Sequence, residues 1–297
     1  MRILVTGGAG QLGNELRRCL SSMLAEIGPI PDSYRNAEVD YIDYQEMDIA
    51  SESSVQAWFA AHGPYDIVIA CAALTNVDGC ETNPQAAFAV NAQGAEYVAR
   101  AAASSNAKLV HVSTDYVFAG NEAKPRIESD ATNPQSVYGA SKLEGEELAL
   151  AACSKTFIVR TAWLYGYVGK NFVKTMLRLA REQGRIRVVD DQFGNPTNAN
   201  DLAYEILQIA ATENYGIYHC TNEGVCSWYE FACAIVDGAG IACEKTPCSS
   251  DEFETPTERP KYSALRNKHL DDTIGNEMRS WQDALATYLE NLPEWEG

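Results

Sequence analysis

Apolar runs of strand length alternate with stretches of helical hydrophobic spacing through the first two-thirds of the chain. Arg2 to Gly7 predicts a strand, Gln11 to Leu24 a helix, Val39 to Asp43 a strand, Ser53 to His62 a helix and Asp66 to Ala73 a third strand. Pro84 to Ser104 reads as one long helix and Lys108 to Phe118 as a strand with its exit loop. Ser136 to Ala152 then reads as a helix, and Thr156 to Tyr165 as a strand. Such alternation is the mark of a parallel sheet with helical crossovers, and its spacing fits a doubly wound α/β fold.

After Gly166 the pattern changes to separate helices at Phe172 to Glu182, Asn200 to Thr212, Trp228 to Gly238 and Arg279 to Leu292, joined by short strands and proline-bearing loops. The expected division is a nucleotide-binding domain over residues 1–165 with a later return of the chain near 196–222. A smaller C-terminal α/β substrate lobe would take 166–195 and 223–297. Pro247 to Pro260, rich in Ser, Thr, Glu and Pro, reads as a loop over the cleft.

The composition narrows the partners. A formal charge of -18 and a pI near 4.6 argue against nucleic acid and anionic membrane, which need a basic footprint, so an anionic substrate calls for a locally basic pocket. The chain enters a strand-like run directly and has no apolar stretch of the ~18 residues of a membrane span, so the expectation is a soluble, cytoplasmic protein. Nine cysteines, an odd number in a large chain without an export signal, read as reduced thiols. Neither they nor the four scattered histidines form a metal motif, and no metal is expected.

Thr6-Gly7-Gly8-Ala9-Gly10-Gln11-Leu12-Gly13 follows the first strand and opens a helix, the context of a dinucleotide fingerprint and so of a Rossmann domain. Gly7 permits the turn, Gly10 lets the backbone approach a pyrophosphate and Gly13 lets the helix pack on the strand, with the helix N-terminus facing the anion. An acidic residue after the second strand should hold the adenosine ribose. Asp40, Asp43 and Asp48 are candidates: Asp43 best fits the strand end, and Asp48-Ile49 an adenine-contacting pair. Carboxylates here lean toward NADH, whereas Arg17, Arg18 and Arg35 leave NADPH open. Ala72-Ala73-Leu74-Thr75 should pass beside the pyrophosphate or the nicotinamide ribose.

Tyr138 and Lys142 stand four residues apart at the start of a predicted helix, so phenol and ammonium share one face. A neighbouring cation stabilises a phenolate and tunes the phenol for proton transfer. Thr114, in His111-Val112-Ser113-Thr114-Asp115-Tyr116-Val117-Phe118, adds a hydroxyl at the carboxyl edge of the sheet, where such folds bind ligands.

The hydroxyl, phenol and ammonium together resemble the catalytic set of the extended short-chain dehydrogenase/reductases. Ser113 to Phe118, Arg160 to Tyr165, Asn171 to Met176 and Asp191 to Thr197 resemble the signature blocks of the dTDP-4-dehydrorhamnose reductase family, over nearly the whole chain. The resemblance implies hydride transfer from NADPH or NADH to the 4-keto group of dTDP-4-dehydro-6-deoxy-L-mannose, giving dTDP-L-rhamnose. It implies Thr114, Tyr138 and Lys142 as the catalytic residues. It also implies Asp115 and Trp163 in the sugar pocket, although Trp163 could equally be a core aromatic. Asn171, Gln192, Thr197 and Arg259 are further substrate candidates, with Arg259 in Glu258-Arg259-Pro260 a clamp for the diphosphate. Related dehydratases carry Asp-Glu after the equivalent threonine, whereas here Asp115 is followed by Tyr116, which favours plain carbonyl reduction.

Two features depart from the family pattern. Some members form a dimer bridged by magnesium through glutamates; Glu15 fits, but Asn200 stands where a second glutamate is expected. A monomer or a homodimer without that metal is the resulting expectation. The segment Ala25 to Ala37 is longer than the usual link and has no assigned role. A reductase of another keto sugar-nucleotide, or a non-catalytic regulatory subunit like the one that resembles this family in animal methionine adenosyltransferase, are the rival readings.

Overall fold

The fold is that of a computed structural model, which describes residues 1–252 and 256–292. Five strands, β1 (Arg2–Thr6), β2 (Glu38–Ile42), β3 (Ile67–Ala70), β4 (Lys108–Thr114) and β5 (Thr156–Thr161), join Gly216–His219 in one six-stranded sheet. The order is Gly216–His219, β5, β4, β3, β1, β2, and every neighbouring pair is parallel. The chain reverses direction across the sheet between β1 and β3, so the loops leaving their carboxyl ends part there and open a crevice.

Side chains alternate between the two faces of this sheet, and both faces are covered. Ile3, Val5, Ile69, Val110 and Val159 pack with Leu12 and Leu16 of helix Gln11–Ser22 and with Leu202 and Ile206 of helix Ala199–Ala210. Leu4, Val68, Leu109 and Ile158 pack on the other side with Val98 and Ala102 of helix Gly94–Ser104 and Ala149 of helix Val137–Ala152. Double coverage is why these strands read as unbroken apolar runs. A separate core of Tyr165, Tyr167, Leu177, Phe231, Ile235, Trp281 and Tyr288 unites helices Phe172–Gln183, Trp228–Gly238 and Trp281–Asn291. The parallel pair Arg185–Val189 and Glu244–Cys248 lies alongside.

Two expectations need correction. The helix expected over Pro84 to Ser104 is three pieces, Pro84–Phe88, a π-helical turn at Ala89–Gln93, and Gly94–Ser104. The wide turn carries Asn91 inward, where its Oδ1 accepts from the Leu74 amide (2.8 Å) and its Nδ2 donates to Ser141 Oγ (3.1 Å). The strand expected over Thr156 to Tyr165 stops at Thr161, because Trp163 adopts a left-handed φ of 47° and turns the chain out of the sheet. Leu164–Tyr165 then pairs with Thr197–Asn198 instead. Short helices at Val77–Thr82 and Lys268–Thr273 were not foreseen.

The Ala25 to Ala37 segment acquires a structural role. Ala25, Ile30 and Tyr34 are buried against the helix Ala199–Ala210, and Tyr34 donates its hydroxyl proton to the Leu207 carbonyl at 2.7 Å. Glu15 is buried beneath it and accepts from Asn200 Nδ2 (2.7 Å), while Asn200 Oδ1 accepts from the Glu26 amide (2.7 Å). Within Pro247 to Pro260, positions 253–255 lie outside the described residues; the segment otherwise continues Glu244–Cys248 into a turn at Ser250–Glu252. Among the described residues, all nine cysteines are free and no helix is long and apolar enough to cross a membrane.

Candidate active site

Gly7, at φ +69°, turns the chain sharply after β1, and a Cβ there would meet the Ala72 amide nitrogen at 2.9 Å. At Gly13 a Cβ would lie 2.4 Å from the Gly7 carbonyl oxygen, so helix Gln11–Ser22 touches the turn backbone to backbone. Gly10, the N-cap residue, supplies no side chain to the first helical amides, which leaves them available to an anion. The turn forms one wall of a cavity of about 780 Å³ that runs along the carboxyl edge of the sheet. Gly7, Gly10, Gln11, Leu12, Gly13, Asp43, Asp48, Ile49, Ala72, Ala73 and Thr75 all line it. These residues fit a dinucleotide, because side chains are missing where its phosphates would approach backbone.

The acidic alternatives separate cleanly. Asp40 accepts from the Tyr65 hydroxyl at 2.7 Å and lies outside the cavity lining. Asp43 lines the cavity and accepts from the Ala9 amide at 2.9 Å, which fixes its carboxylate beside the glycine turn. Asp48 also lines it, with Oδ1 accepting from the Ala50 amide (3.0 Å).

Thr114, Tyr138 and Lys142 meet at the other end of the same cavity. Thr114 closes β4, and its Oγ1 donates to Asp115 Oδ1 (2.9 Å), accepts from the Tyr116 amide (3.2 Å) and hydrogen-bonds Tyr138. Helix Val137–Ala152 starts where it does because Ser136 Oγ accepts from the Gly139 amide (3.1 Å) and Glu81 Oε1 from the Val137 amide (2.7 Å). A Cβ on Gly139 would lie 2.2 Å from the Tyr116 carbonyl oxygen, so only glycine lets the helix press Tyr138 against Thr114. Lys142, one turn on, is buried; its Nζ donates to the Val112 carbonyl (2.6 Å) and lies 3.5 Å from His111 Nε2.

Burial dominates the electrostatics here. It lowers Lys142 from its ordinary 10.5 to about 8, against the attraction of Glu146. Tyr138 is raised above its usual 10 by burial, opposed by the Thr114 hydrogen bond, so it holds its proton at neutral pH. Burial also lifts Asp115 to about 6, although Ser263 and Thr114 hydrogen-bond it. His111 is pushed well below the usual 6.5, first by burial and then by Lys142, and stays neutral. Beneath them Glu146 forms a fully enclosed ion pair with Arg160 (2.6 Å) and accepts from Ser113 Oγ.

A second pocket of about 860 Å³ shares Thr75, Val77, Tyr116 and Trp228 with the first, so the two are continuous. Gln192 and Arg259 line it together with Arg187, Lys261, Asp251 and Glu258; Arg187 is paired with Glu252 and Arg259 with Asp78, so the three cations stand among carboxylates. Trp163 lines the first cavity and stacks face to face on Trp228, with ring centroids 3.4 Å apart. Asn171 and Thr197 are not brought to either wall. Asn171 caps helix Phe172–Gln183 through the Lys174 amide (3.0 Å) and donates to the Gly166 carbonyl (2.7 Å), and Thr197 is buried with its hydroxyl on the Asn195 carbonyl (3.3 Å). The sequence reading passed over Asn91, Glu81, His111 and Trp228. Only Trp228 carried a local signal, the Ser227/Glu230 capping box that starts its helix.

A family model described as RmlD substrate binding domain matches residues 1–293. Spore coat polysaccharide biosynthesis protein SpsK of Bacillus subtilis (strain 168) is 40% identical over 289 residues, 97% of each chain. The crystal structure of a dTDP-4-dehydrorhamnose reductase from Clostridium acetobutylicum superimposes with a TM-score of 0.92 at 44% identity, covering 99% of this chain and 100% of that one. Its counterpart from Bacillus anthracis, in complex with NADP, gives 0.90 at 39% identity over 98% and 99% of the two chains. With the whole sheet and both cavities inside the matched span, the chain belongs to the RmlD substrate binding domain family, that of the dTDP-4-dehydrorhamnose reductases.

Proposed function

We propose that the chain reduces the 4-keto group of dTDP-4-dehydro-6-deoxy-L-mannose to give dTDP-L-rhamnose, the last step of dTDP-rhamnose biosynthesis, using NADPH or NADH. One observation carries this: Thr114, Tyr138 and Lys142 stand where a glycine-turn dinucleotide cleft runs into a second pocket bearing Arg187, Arg259 and Lys261. A sugar-nucleotide threaded through that junction would leave its diphosphate beside Arg259 and Lys261 and bring its sugar to Tyr138. Residues 1–165 with the 196–222 return would then hold the cofactor, and 166–195 with 223–297 the substrate. Asp115 and Trp163 would border the sugar, Gln192 and Arg259 the nucleotide.

When bound in the first cavity, the reduced nicotinamide supplies hydride to the carbonyl carbon. Tyr138 gives its hydroxyl proton to the carbonyl oxygen as negative charge develops there, a contribution of typically 10²–10⁴-fold. Thr114 donates a hydrogen bond to the same oxygen once it turns from Asp115. Lys142, held by the Val112 carbonyl one turn below Tyr138, is mostly protonated at pH 7 and stabilises the phenolate left behind.

The direct test incubates the purified chain with dTDP-4-dehydro-6-deoxy-L-mannose and follows loss of NADH or NADPH absorbance in separate runs, with the UDP analogue alongside. Stoichiometric oxidation with formation of dTDP-L-rhamnose is expected. Cofactor binding without oxidation by any keto sugar would refute the enzyme and leave a binding protein.

A further inference from the structure

Arg259 reaches across the mouth of the cleft. Its Nη2 donates to Asp78 Oδ2 at 2.8 Å, a contact between residues 181 positions apart, and its side chain also hydrogen-bonds Tyr116. The backbone beside it is fixed, because Gly120 packs so closely on Pro260 that a Cβ would fall 2.3 Å from the Pro260 Cβ, and the Tyr262 amide donates to the Gly120 carbonyl (3.0 Å). What remains to be set is the direction of the guanidinium, and Asp78 and Tyr116 set it. Arg259 Nη1 is buried with no hydrogen-bond partner among the described residues, as is Asp78 Oδ1. The Arg259 side chain as a whole keeps 22% of its surface exposed and lines the second cavity, so a ligand there meets the part of the side chain that Asp78 does not engage. Asp78 lines neither cavity but follows Val77, which lines both, and its partner Arg259 lines the second.

We propose that Asp78 is a positioning residue for the substrate, holding Arg259 so that the exposed part of its guanidinium faces the nucleoside diphosphate in the second cavity. This rests on the reading of Arg259 as the diphosphate clamp. A guanidinium recognises phosphate through donors in a fixed planar fork, so the direction of the fork decides how many of them reach the anion. By engaging one edge of the fork, Asp78 removes the rotamer search that a long side chain otherwise makes on binding. A carboxylate this close also opposes the incoming anion. Orientation outweighs that repulsion because one arm of the fork neutralises Asp78 while the other stays available.

The test uses D78N, R259A and the double variant as NADP-loaded proteins, titrated calorimetrically with dTDP as the nucleoside diphosphate probe and assayed with the sugar-nucleotide. D78N is expected to weaken dTDP binding and raise KM about 5–10-fold, with kcat at saturation and NADPH affinity unchanged; D78S serves if D78N folds poorly. Added to R259A, D78N should cost nothing further, which a merely structural role would not produce. Unchanged or tighter dTDP binding in D78N while R259A binds weakly would overturn the proposal, as would an undiminished D78N effect in the R259A background. Unchanged binding in R259A itself would instead remove Arg259 as the clamp.

Discussion

Replacing Lys142 by Met should make the free protein more stable while it disables the reaction. Lys142 is 2% exposed, and burial holds its pKa near 8 against an ordinary 10.5. Because the folded value lies below the unfolded one, the unfolded chain binds more protons between pH 8 and 10.5. Stability therefore rises with pH across that window; the penalty is full below about 8 and gone above 10.5. At 1.36 kcal/mol per unit, the penalty at pH 7 is about 3 kcal/mol. Against its removal, the Val112 carbonyl loses the 2.6 Å hydrogen bond from Nζ, which costs ~1–2 kcal/mol. The unbranched Met refills most of the volume. Lys142→Met should thus gain ~1–2 kcal/mol near pH 7, a rise in Tm of roughly 2–8 °C for a chain of this size. Thermal and urea unfolding of both proteins without cofactor, from pH 6 to 10.5, would read this. The gain should shrink steadily above pH 8. A variant less stable than the parent at pH 7, or a difference that does not change with pH, would refute the account of Lys142 as a charge buried at a cost.

Tyr138→Phe should reduce kcat by about 10²–10⁴-fold while the NADPH dissociation constant, read by fluorescence, stays within a factor of about two; near-parental turnover would contradict a proton donor at this position. Asp43→Asn keeps an acceptor for the Ala9 amide but removes the charge at the strand end, so the ratio of kcat/KM for NADPH over NADH should rise about tenfold, ~1.4 kcal/mol. An unmoved ratio would mean that Asp43 does not face the adenosine ribose. Glu146→Gln strands the buried Arg160 charge and should destabilise by about 3–5 kcal/mol in urea titration. A loss under 1 kcal/mol would show that water reaches the pair.

What could be read in the sequence was what the chain writes locally. The glycine turn, the four-residue Tyr138–Lys142 spacing and the Thr114 strand end each lie within one element and its exit, so pattern and turn chemistry sufficed. Asn91 could not be found that way. Its importance comes from a π turn that helical periodicity does not distinguish from an α-helix, and its partners Leu74 and Ser141 are remote in sequence. Trp163 sat inside an apolar run that looked like continuing strand, and nothing local signals a positive φ at a tryptophan. Glu81 and Asp78 lie in a short polar stretch that carries no motif. Their roles, capping the helix of Tyr138 and pairing with Arg259, exist only once the crossover brings Val77–Thr82 beside Val137 and the C-terminal lobe. Asn171 and Thr197 were named through the family resemblance; the fold sets them behind the cavity walls, Asn171 donating to the Gly166 carbonyl and to Gln11 Oε1 and Thr197 to the Asn195 carbonyl.

The choice of reaction turns on the two residues that follow Thr114. Asp115 is buried, raised to about 6 and tied to the Thr114 hydroxyl, so above pH 6 it serves as an acceptor that orients rather than as an acid. A dehydratase needs a second acid–base group beside it to expel water from the carbons next to the ketone. Here that place belongs to Tyr116, whose ring meets Tyr138 edge on at 5.5 Å and whose phenol, raised by burial to about 12 despite Arg259, exchanges no proton at neutral pH. With Tyr138 as the proposed proton donor and an aromatic beside it where a base would stand, the site would complete a reduction and not an elimination. Tyr116 also contacts both Tyr138 and Arg259, so the side chain that would deny elimination links the proposed proton donor to the proposed diphosphate clamp.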